Sequence, residues 1–186
     1  MVGERHWLGR LSPCLLLGLL LAMAQSATAD WRPAVPGARA VGAGEFTWFR
    51  LRLYSARTWS AVAPLDWASP FALELTYHRT LSRETLVEAS LDEMRRLGGD
   101  DLSEATLERW AGLMRQAFVD VRPGMRITGV YLPGQGCRFY VDGQLRRQID
   151  EAAFARAFFA IWLDPRAREP QLRQALLGRA GADRGE

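Results

Sequence analysis

The sequence predicts a single α+β domain in which helices pack on one face of an antiparallel sheet. Three observations predict this class. Residues 46–59 and 71–77 carry apolar side chains at alternate positions, which is typical of half-buried strands. Two segments of helical periodicity follow, and Asp142-Gly143 between two short strands indicates an antiparallel hairpin. With 186 residues, 48% of them hydrophobic, the chain can bury one core and is short for two ordinary domains.

The first 29 residues predict a cleaved signal peptide. Arg5 and Arg10 precede an apolar run over residues 15–24, and Ala27-Thr28-Ala29 places small residues where signal peptidase requires them. We therefore expect cleavage before Asp30 and a mature protein in the periplasm.

An uncleaved anchor is the alternative reading of this segment. Its apolar run is about half of the roughly 20 residues needed to span a bilayer. A lipoprotein anchor fits less well, because Cys14 precedes the apolar run. We expect no stable membrane insertion after cleavage, one domain over residues 30–178 and a frayed tail over residues 179–186.

Composition excludes several classes of function. Removing the first 29 residues takes away two arginines and one glutamate, so the net charge falls from +3 to +2, which indicates no nucleic-acid partner. The remaining chain has one histidine, His78, and one cysteine, Cys137, which excludes a clustered His/Cys metal site. Gly42-Ala43-Gly44 precedes a strand rather than opening a helix, so it is no dinucleotide fingerprint and no cofactor is predicted.

The predicted elements alternate between sheet and helix. They are a bend at residues 42–45, strands over 46–59 and 71–77, a helix from Ser82 to Gly98, a helix over 102–118, three short strands over 125–132, 136–141 and 144–149, a helix from Asp150 to Leu163 and a last helix over 170–177. Ser82 and Asp150 are predicted N-caps, and Asp101 with Glu104 makes a capping-box pattern. The three short strands predict an antiparallel meander.

No residue lies in a sequence motif typical of a known catalytic site. The chain lacks a Gly-x-Ser-x-Gly elbow, and we predict no catalytic residue. An aromatic and arginine-rich set remains on the strands and helices. Such side chains suit an apolar ligand cleft between sheet and helices, and they equally suit an ordinary core.

Several stretches together resemble the chalcone isomerase-like proteins, in particular an exported bacterial branch. The stretches are Gly42-Ala43-Gly44, residues 53–57, Leu73-Glu74-Leu75-Thr76-Tyr77-His78-Arg79, Thr128-Gly129-Val130-Tyr131-Leu132-Pro133-Gly134, residues 154–159, Ile161-Trp162-Leu163-Asp164-Pro165 and residues 172–178. The resemblance implies an open-faced β-sandwich, in which a large antiparallel sheet is covered on one face by helices with a ligand cleft between them.

The resemblance also argues against the family's enzymatic activity in this chain. It implies that true isomerases use an arginine, a tyrosine, an asparagine and threonines to hold a chalcone and assist ring closure. The strand threonine is replaced by Tyr54, the helix threonine by Ile161 and the arginine by Phe46, and the chain has no asparagine. Each lost oxyanion donor typically lowers the rate about 10²–10³-fold.

Three functions stay open at this point. The family that this chain resembles also contains non-catalytic members that bind fatty acids, in which an arginine meets the carboxylate. The resemblance implies Arg52 or Arg57 as the candidate for that arginine here. We accordingly predict a ligand site formed by Arg52, Tyr54, Arg57, Tyr77, Ile161 and Trp162 for an apolar or amphipathic small molecule. The alternatives are an isomerase or intramolecular lyase with a rearranged site, using Tyr54 or Tyr77 as the acid, and an interaction protein without a ligand.

Overall fold

The computed structural model describes residues 30–179. The predicted signal peptide over residues 1–29 lies outside the described residues, as do residues 180–186 of the predicted tail. Within the described part, no helix has both the length and the apolar character needed to cross a bilayer.

The centre of the fold is one antiparallel sheet of six strands whose spatial order equals their chain order. Its strands are β1 (Arg39–Trp48), β2 (Leu51–Ser60), β3 (Phe71–Tyr77), β4 (Arg126–Leu132), β5 (Gly136–Val141) and β6 (Gln144–Ile149). The register of β1 against β2 shifts twice, between Ala40 and Gly42 and between Phe46 and Thr47. Because the spatial order equals the chain order, every strand of this sheet pairs only with the strands next to it in the sequence.

Four helices cover one face of this sheet. Helices α1 (Arg83–Gly98) and α2 (Glu104–Ala117) connect β3 to β4, and α3 (Ala152–Leu163) and α4 (Pro170–Leu176) follow β6. This arrangement confirms the predicted α+β class and the open-faced β-sandwich, and it also confirms the meander of three short strands.

Aromatic side chains fill most of the space between the two layers. Phe71 and Phe139 from the sheet and Phe154 and Phe159 from α3 are fully buried. The ring of Phe159 meets that of Phe71 edge-on, with centroids 5.2 Å apart. A smaller cluster on the opposite sheet face is covered by the segment before β1, which contributes buried Trp31.

The predicted bend at residues 42–45 is wrong, because these residues lie inside β1. The glycines serve packing instead of turning. A Cβ atom on Gly42 would lie 1.7 Å from the carbonyl oxygen of Ala175, and one on Gly44 would lie 2.6 Å from Cδ1 of Leu172. Helix α4 thus packs directly on the backbone of β1.

The predicted continuous strand over residues 46–59 is also wrong, because a turn interrupts it. Phe49 and Arg50 form the two-residue loop between β1 and β2, with Trp48 and Leu51 as the closing pair. Neither loop residue is a glycine, asparagine or aspartate, which are the residues that usually indicate such a loop.

The predicted N-terminal cap agrees in one case of three, and the last helix begins at Pro170 as predicted. Ser82 caps α1 as predicted, with its hydroxyl accepting from the backbone N–H of Thr85 at 3.1 Å. Ser103, rather than Asp101, caps α2. Helix α3 follows Glu151 rather than Asp150, and the Glu151 carboxylate accepts from Nε1 of Trp110 at 2.8 Å instead of capping the helix.

Substitution of Gly42 tests the close packing of α4 on β1. We expect Gly42→Ala to lower the free energy of unfolding by about 2 kcal/mol or more, because the added methyl group would overlap backbone atoms. Gly112→Ala in α2 is the control, since a Cβ there meets no atom within 4 Å; it should raise stability by up to about 1 kcal/mol through helix propensity. Urea denaturation measures both values, and equal stability of Gly42→Ala and wild type would contradict the packing described.

Candidate ligand cavity

A cavity of about 430 Å³ lies between the sheet and the helices, at the end where β1 and β2 meet their connecting turn. Its walls come from β1–β4, α1, α3, α4 and the segments joining them. The lining residues are Phe46, Trp48, Leu53, Tyr54, Leu75, Tyr77, Leu81, Thr85, Leu86, Ala89, Ser90, Asp92, Glu93, Phe118, Ile127, Phe158, Ile161, Trp162, Ala167, Arg168, Glu169 and Leu172. Most of these side chains are apolar, so the interior suits an apolar guest.

The cavity forms where the layers are held apart by large side chains. Gly42 and Gly44 bring α4 onto β1, whereas the next inward-facing residue of this strand is Phe46. Phe46 stacks on its cross-strand partner Tyr54 with ring centroids 5.1 Å apart. The change from glycine to aromatic along one strand therefore opens space between sheet and helices.

Tyr54 and Trp162 form the polar contact across the cavity. The indole Nε1–H of Trp162 donates to the hydroxyl oxygen of Tyr54 at 2.9 Å, which joins α3 to β2. Because Tyr54 accepts in this bond, its own hydroxyl proton remains available to a guest. The ring of Tyr77 lies edge-on to that of Tyr54, 6.1 Å away between centroids.

Tyr77 presents a second hydroxyl to the cavity. Its side chain is 4% exposed, and within residues 30–179 its hydroxyl has no hydrogen-bond partner. Burial raises the pKa of both tyrosines well above its ordinary value; at Tyr54 the bond from Trp162 offsets part of this rise. Both phenols are therefore neutral at physiological pH and act as hydrogen-bond donors.

The rim of the cavity beside α4 is charged. Glu93 of α1 accepts from Arg96 at 2.7 Å and also pairs with Arg168, which follows α3. Asp92 and Glu169 line the same rim. Carboxylates outnumber the one lining arginine, Arg168, so this rim does not favour an anionic group.

Four of the six predicted ligand-site residues line the cavity. These are Tyr54, Tyr77, Ile161 and Trp162. The other two do not line it. Arg52 is exposed and pairs with Glu45 at 3.0 Å, and Arg57 lies on the opposite sheet face, 5.6 Å from the Trp59 ring centroid.

The positions at which the resemblance implied catalytic donors also meet here. Phe46, Tyr54 and Ile161 all line the cavity. Sequence reasoning did not find Arg168, because nothing in the local pattern after Asp164-Pro165 distinguishes it from the other exposed arginines. Its position depends on how the segment between α3 and α4 folds back against α1.

Comparison with known families gives a direct assignment. A family model described as chalcone isomerase-like matches residues 52–178. The chain belongs to the chalcone isomerase-like family. The match covers every cavity-lining residue except Phe46 and Trp48, which precede it on β1.

Two individual proteins are similar to this chalcone isomerase-like chain. An uncharacterised protein of Haemophilus influenzae is 24% identical over 166 residues, which cover 89% of this chain and 77% of that protein. The crystal structure of a fatty-acid binding protein of Arabidopsis thaliana superposes with a TM-score of 0.56 and 13% identity, covering 80% of this chain and 92% of that one. At this identity the second similarity shows a shared fold.

Removing the two phenol hydroxyls separately tests their different surroundings. Tyr54→Phe should lower the free energy of unfolding by about 1–2 kcal/mol, because the Trp162 indole loses its acceptor. Tyr77→Phe should change the free energy of unfolding little at pH 7, because the hydroxyl of Tyr77 bonds to no described group. Urea denaturation of both variants gives the comparison.

The same variants give a dependence on alkaline pH. A raised pKa in the folded state means that the unfolded chain releases the phenol proton first, so stability is intact below about pH 10 and falls above it. Tyr77→Phe should reduce this loss by up to about 1.4 kcal/mol per pH unit. An unchanged alkaline slope would contradict the burial of the Tyr77 hydroxyl.

Proposed function

We propose that this protein binds an apolar or amphipathic small molecule of the fatty-acid class in the cavity and does not transform it. The observation that carries the proposal is the apolar volume between sheet and helices, which lies in the range of roughly 300–1,000 Å³ typical of small-molecule sites. Family membership supports an apolar guest, and the fold shared with a fatty-acid binding protein supports the class.

The cavity wall argues against catalysis. A reaction that develops negative charge needs preorganised donors at the reacting oxygen. Of the positions that resemble catalytic ones, Phe46 and Ile161 carry no donor. Tyr54 can donate one hydrogen bond, but burial keeps its phenol from ionising and so from acting as a base at neutral pH.

The charges define which end of a ligand binds where. A carboxylate beside Asp92, Glu93 and Glu169 would meet like charges, and Arg168 already pairs with Glu93. The neutral hydroxyls of Tyr54 and Tyr77 instead suit an uncharged polar head, such as a hydroxyl or a protonated carboxyl group. The apolar tail then packs along Phe158, Leu86 of α1 and Leu75 of β3.

Filling the cavity tests the binding site. Leu86 lines the cavity and is half-buried, so Leu86→Trp should occupy the volume and weaken binding of a fluorescent fatty acid about tenfold or more. Leu91→Trp is the matched control, because Leu91 is a half-buried leucine of the same helix outside the cavity lining. It should bind the probe within about twofold of wild type.

Competition in the same assay tests the class of head group. A long-chain alcohol should displace the probe at least as well as the matching acid at neutral pH. Equal probe binding by wild type, Leu86→Trp and Leu91→Trp would place the ligand elsewhere. Loss of chalcone absorbance on incubation with the protein would support the isomerase or lyase alternative instead.

We further propose that the protein is exported to the periplasm after cleavage before Asp30. The support is the order of Arg5 and Arg10, the apolar run and Ala27-Thr28-Ala29. Expression of the full chain in a Gram-negative host should give a periplasmic protein whose intact mass corresponds to residues 30–186. Ala29→Asp should prevent cleavage, and a cytoplasmic protein of full mass would overturn the proposal.

A further inference from the structure

The hairpin of β1 and β2 projects past the rest of the sheet. The last register pair between β2 and β3 is Tyr54 with Tyr77, and the backbone N–H of His78 still donates to the carbonyl oxygen of Leu53 at 2.8 Å. Arg52, Leu51 and the turn continue beyond this last bond. At about 3.4 Å per residue, the hairpin extends roughly 7 Å further than its neighbour. We call residues 48–51 the hairpin tip.

The hairpin tip is apolar and exposed. Phe49 is 84% exposed, and Trp48 and Leu51 are about half exposed. Trp48 meets Phe49 edge-on with ring centroids 5.1 Å apart, so the two rings form one projecting surface. Across residues 30–179, Leu145 on the distant strand β6 is the other large apolar side chain of comparable exposure.

Folding alone does not account for the residues at the turn. Phe49 has φ of 45° and Arg50 has φ of 63°, which is the left-handed region that asparagine and glycine adopt with little strain. A bulky aromatic residue at positive φ is an outlier. The chain thus carries a strained, solvent-exposed phenylalanine where Asn-Gly would form the same turn more readily.

The hairpin tip is also basic. Arg50 makes no ion pair with any residue of the described range, and Arg52 beside the tip pairs with Glu45. Residues 45–54 therefore carry two arginines and one glutamate, which leaves a net positive charge. Tryptophan, phenylalanine and leucine together with arginine are typical of segments that lie in the interface of a membrane.

Trp48 connects this surface to the cavity. It is half exposed at the hairpin tip and also lines the cavity, together with Phe46 behind it. An apolar molecule leaving the cavity along these two rings would stay in contact with apolar side chains as far as the tip.

We propose that the hairpin tip inserts into the headgroup region of an anionic phospholipid membrane, so that the cavity exchanges its apolar guest with the bilayer. The projection of roughly 7 Å lies within the depth of about 5–10 Å at which interfacial segments lie. Four residues on a convex tip fall far short of the area of about 800 Å² per partner that a stable protein interface needs. The exchange rests on the proposed ligand site, whereas insertion stands without it.

Co-sedimentation with vesicles tests the insertion. The full chain, as purified after expression, is mixed with vesicles of phosphatidylglycerol and phosphatidylcholine or of phosphatidylcholine alone. Wild type should bind the anionic vesicles, and Phe49→Asn should bind them about tenfold more weakly because the inserted ring is lost. The same substitution should leave the thermal unfolding midpoint unchanged or raise it, because asparagine relieves the turn.

Two further variants make the outcome specific. Leu145→Ser removes a side chain of similar exposure on the opposite edge of the sheet and should bind as wild type. Arg50→Gln should weaken binding to anionic vesicles and leave binding to phosphatidylcholine unchanged. Because all variants share one N-terminus, differences among them report on the hairpin tip.

The contrary results are equally defined. Wild-type protein that stays in the supernatant, or Phe49→Asn that binds as wild type, would overturn membrane insertion. A change of oligomeric state with Phe49→Asn in light scattering would assign the tip to a second copy of the chain. Leu86→Trp should bind vesicles as wild type, so failure of the ligand site and failure of the membrane contact are distinguishable.

Discussion

The distance between the helical layer and the sheet controls the rest of this structure. Where the strands present glycine, the helices come into contact with the backbone: Gly42 admits α4, and a Cβ on Gly129 would lie 2.9 Å from Cζ of Phe159 in α3. The buried hydroxyl of Thr58 holds α4 on the sheet by donating to the carbonyl oxygen of Leu176 at 2.5 Å. Where β1 and β2 present Phe46 and Tyr54 to the helices, the layers separate and the cavity appears. The change in residue size along β1, from Gly42 to Phe46, thus separates a packed part of the interior from the open part.

The division into a packed and an open part explains why the cavity has few reactive groups. The side chains that line the cavity are mainly apolar, and its two phenols, Tyr54 and Tyr77, are buried enough to stay neutral. Charged groups are confined to the rim, where Glu93 of α1 pairs with Arg96 of the same helix and with Arg168 of the segment after α3. A cavity of this kind offers shape, apolar contact and two phenol donors, which is what binding requires and less than ring closure requires.

Much of the fold could be predicted from the sequence because its signals are local. Alternation at residues 71–77 and the Asp142-Gly143 turn report directly on backbone conformation, and β3 and the meander lie where these signals place them. The cavity residues on β2, β3 and α3 could also be anticipated from the family resemblance. The incorrect predictions concern residues whose identity depends on a contact with a residue far away in the sequence. Gly42 is glycine because of Ala175 in α4, and no local pattern contains that information.

The arginines show the same limit. Arg57 alternates with buried Ala56 and Thr58, so its side chain points away from the helices, whereas Arg168 reaches the rim through a segment without regular structure. The turn at Phe49 and Arg50 was not predicted for a different reason. Phenylalanine and arginine disfavour the positive φ that both residues have here. Tertiary contacts and strained turns are the two kinds of information that a single sequence carries least clearly.

The simple strand order has a consequence for solubility. A meander that does not close into a barrel leaves two strands with unpaired backbone groups, and such borders can template the association of further chains. The two borders of this sheet differ in how they resist it. On β6, exposed Arg146 and Arg147 place like charges along any approaching copy, whereas β1 has few charges but two irregularities of register that distort its hydrogen-bonding row. Electrostatic repulsion at one border and an interrupted ladder at the other oppose the growth of an extended intermolecular sheet.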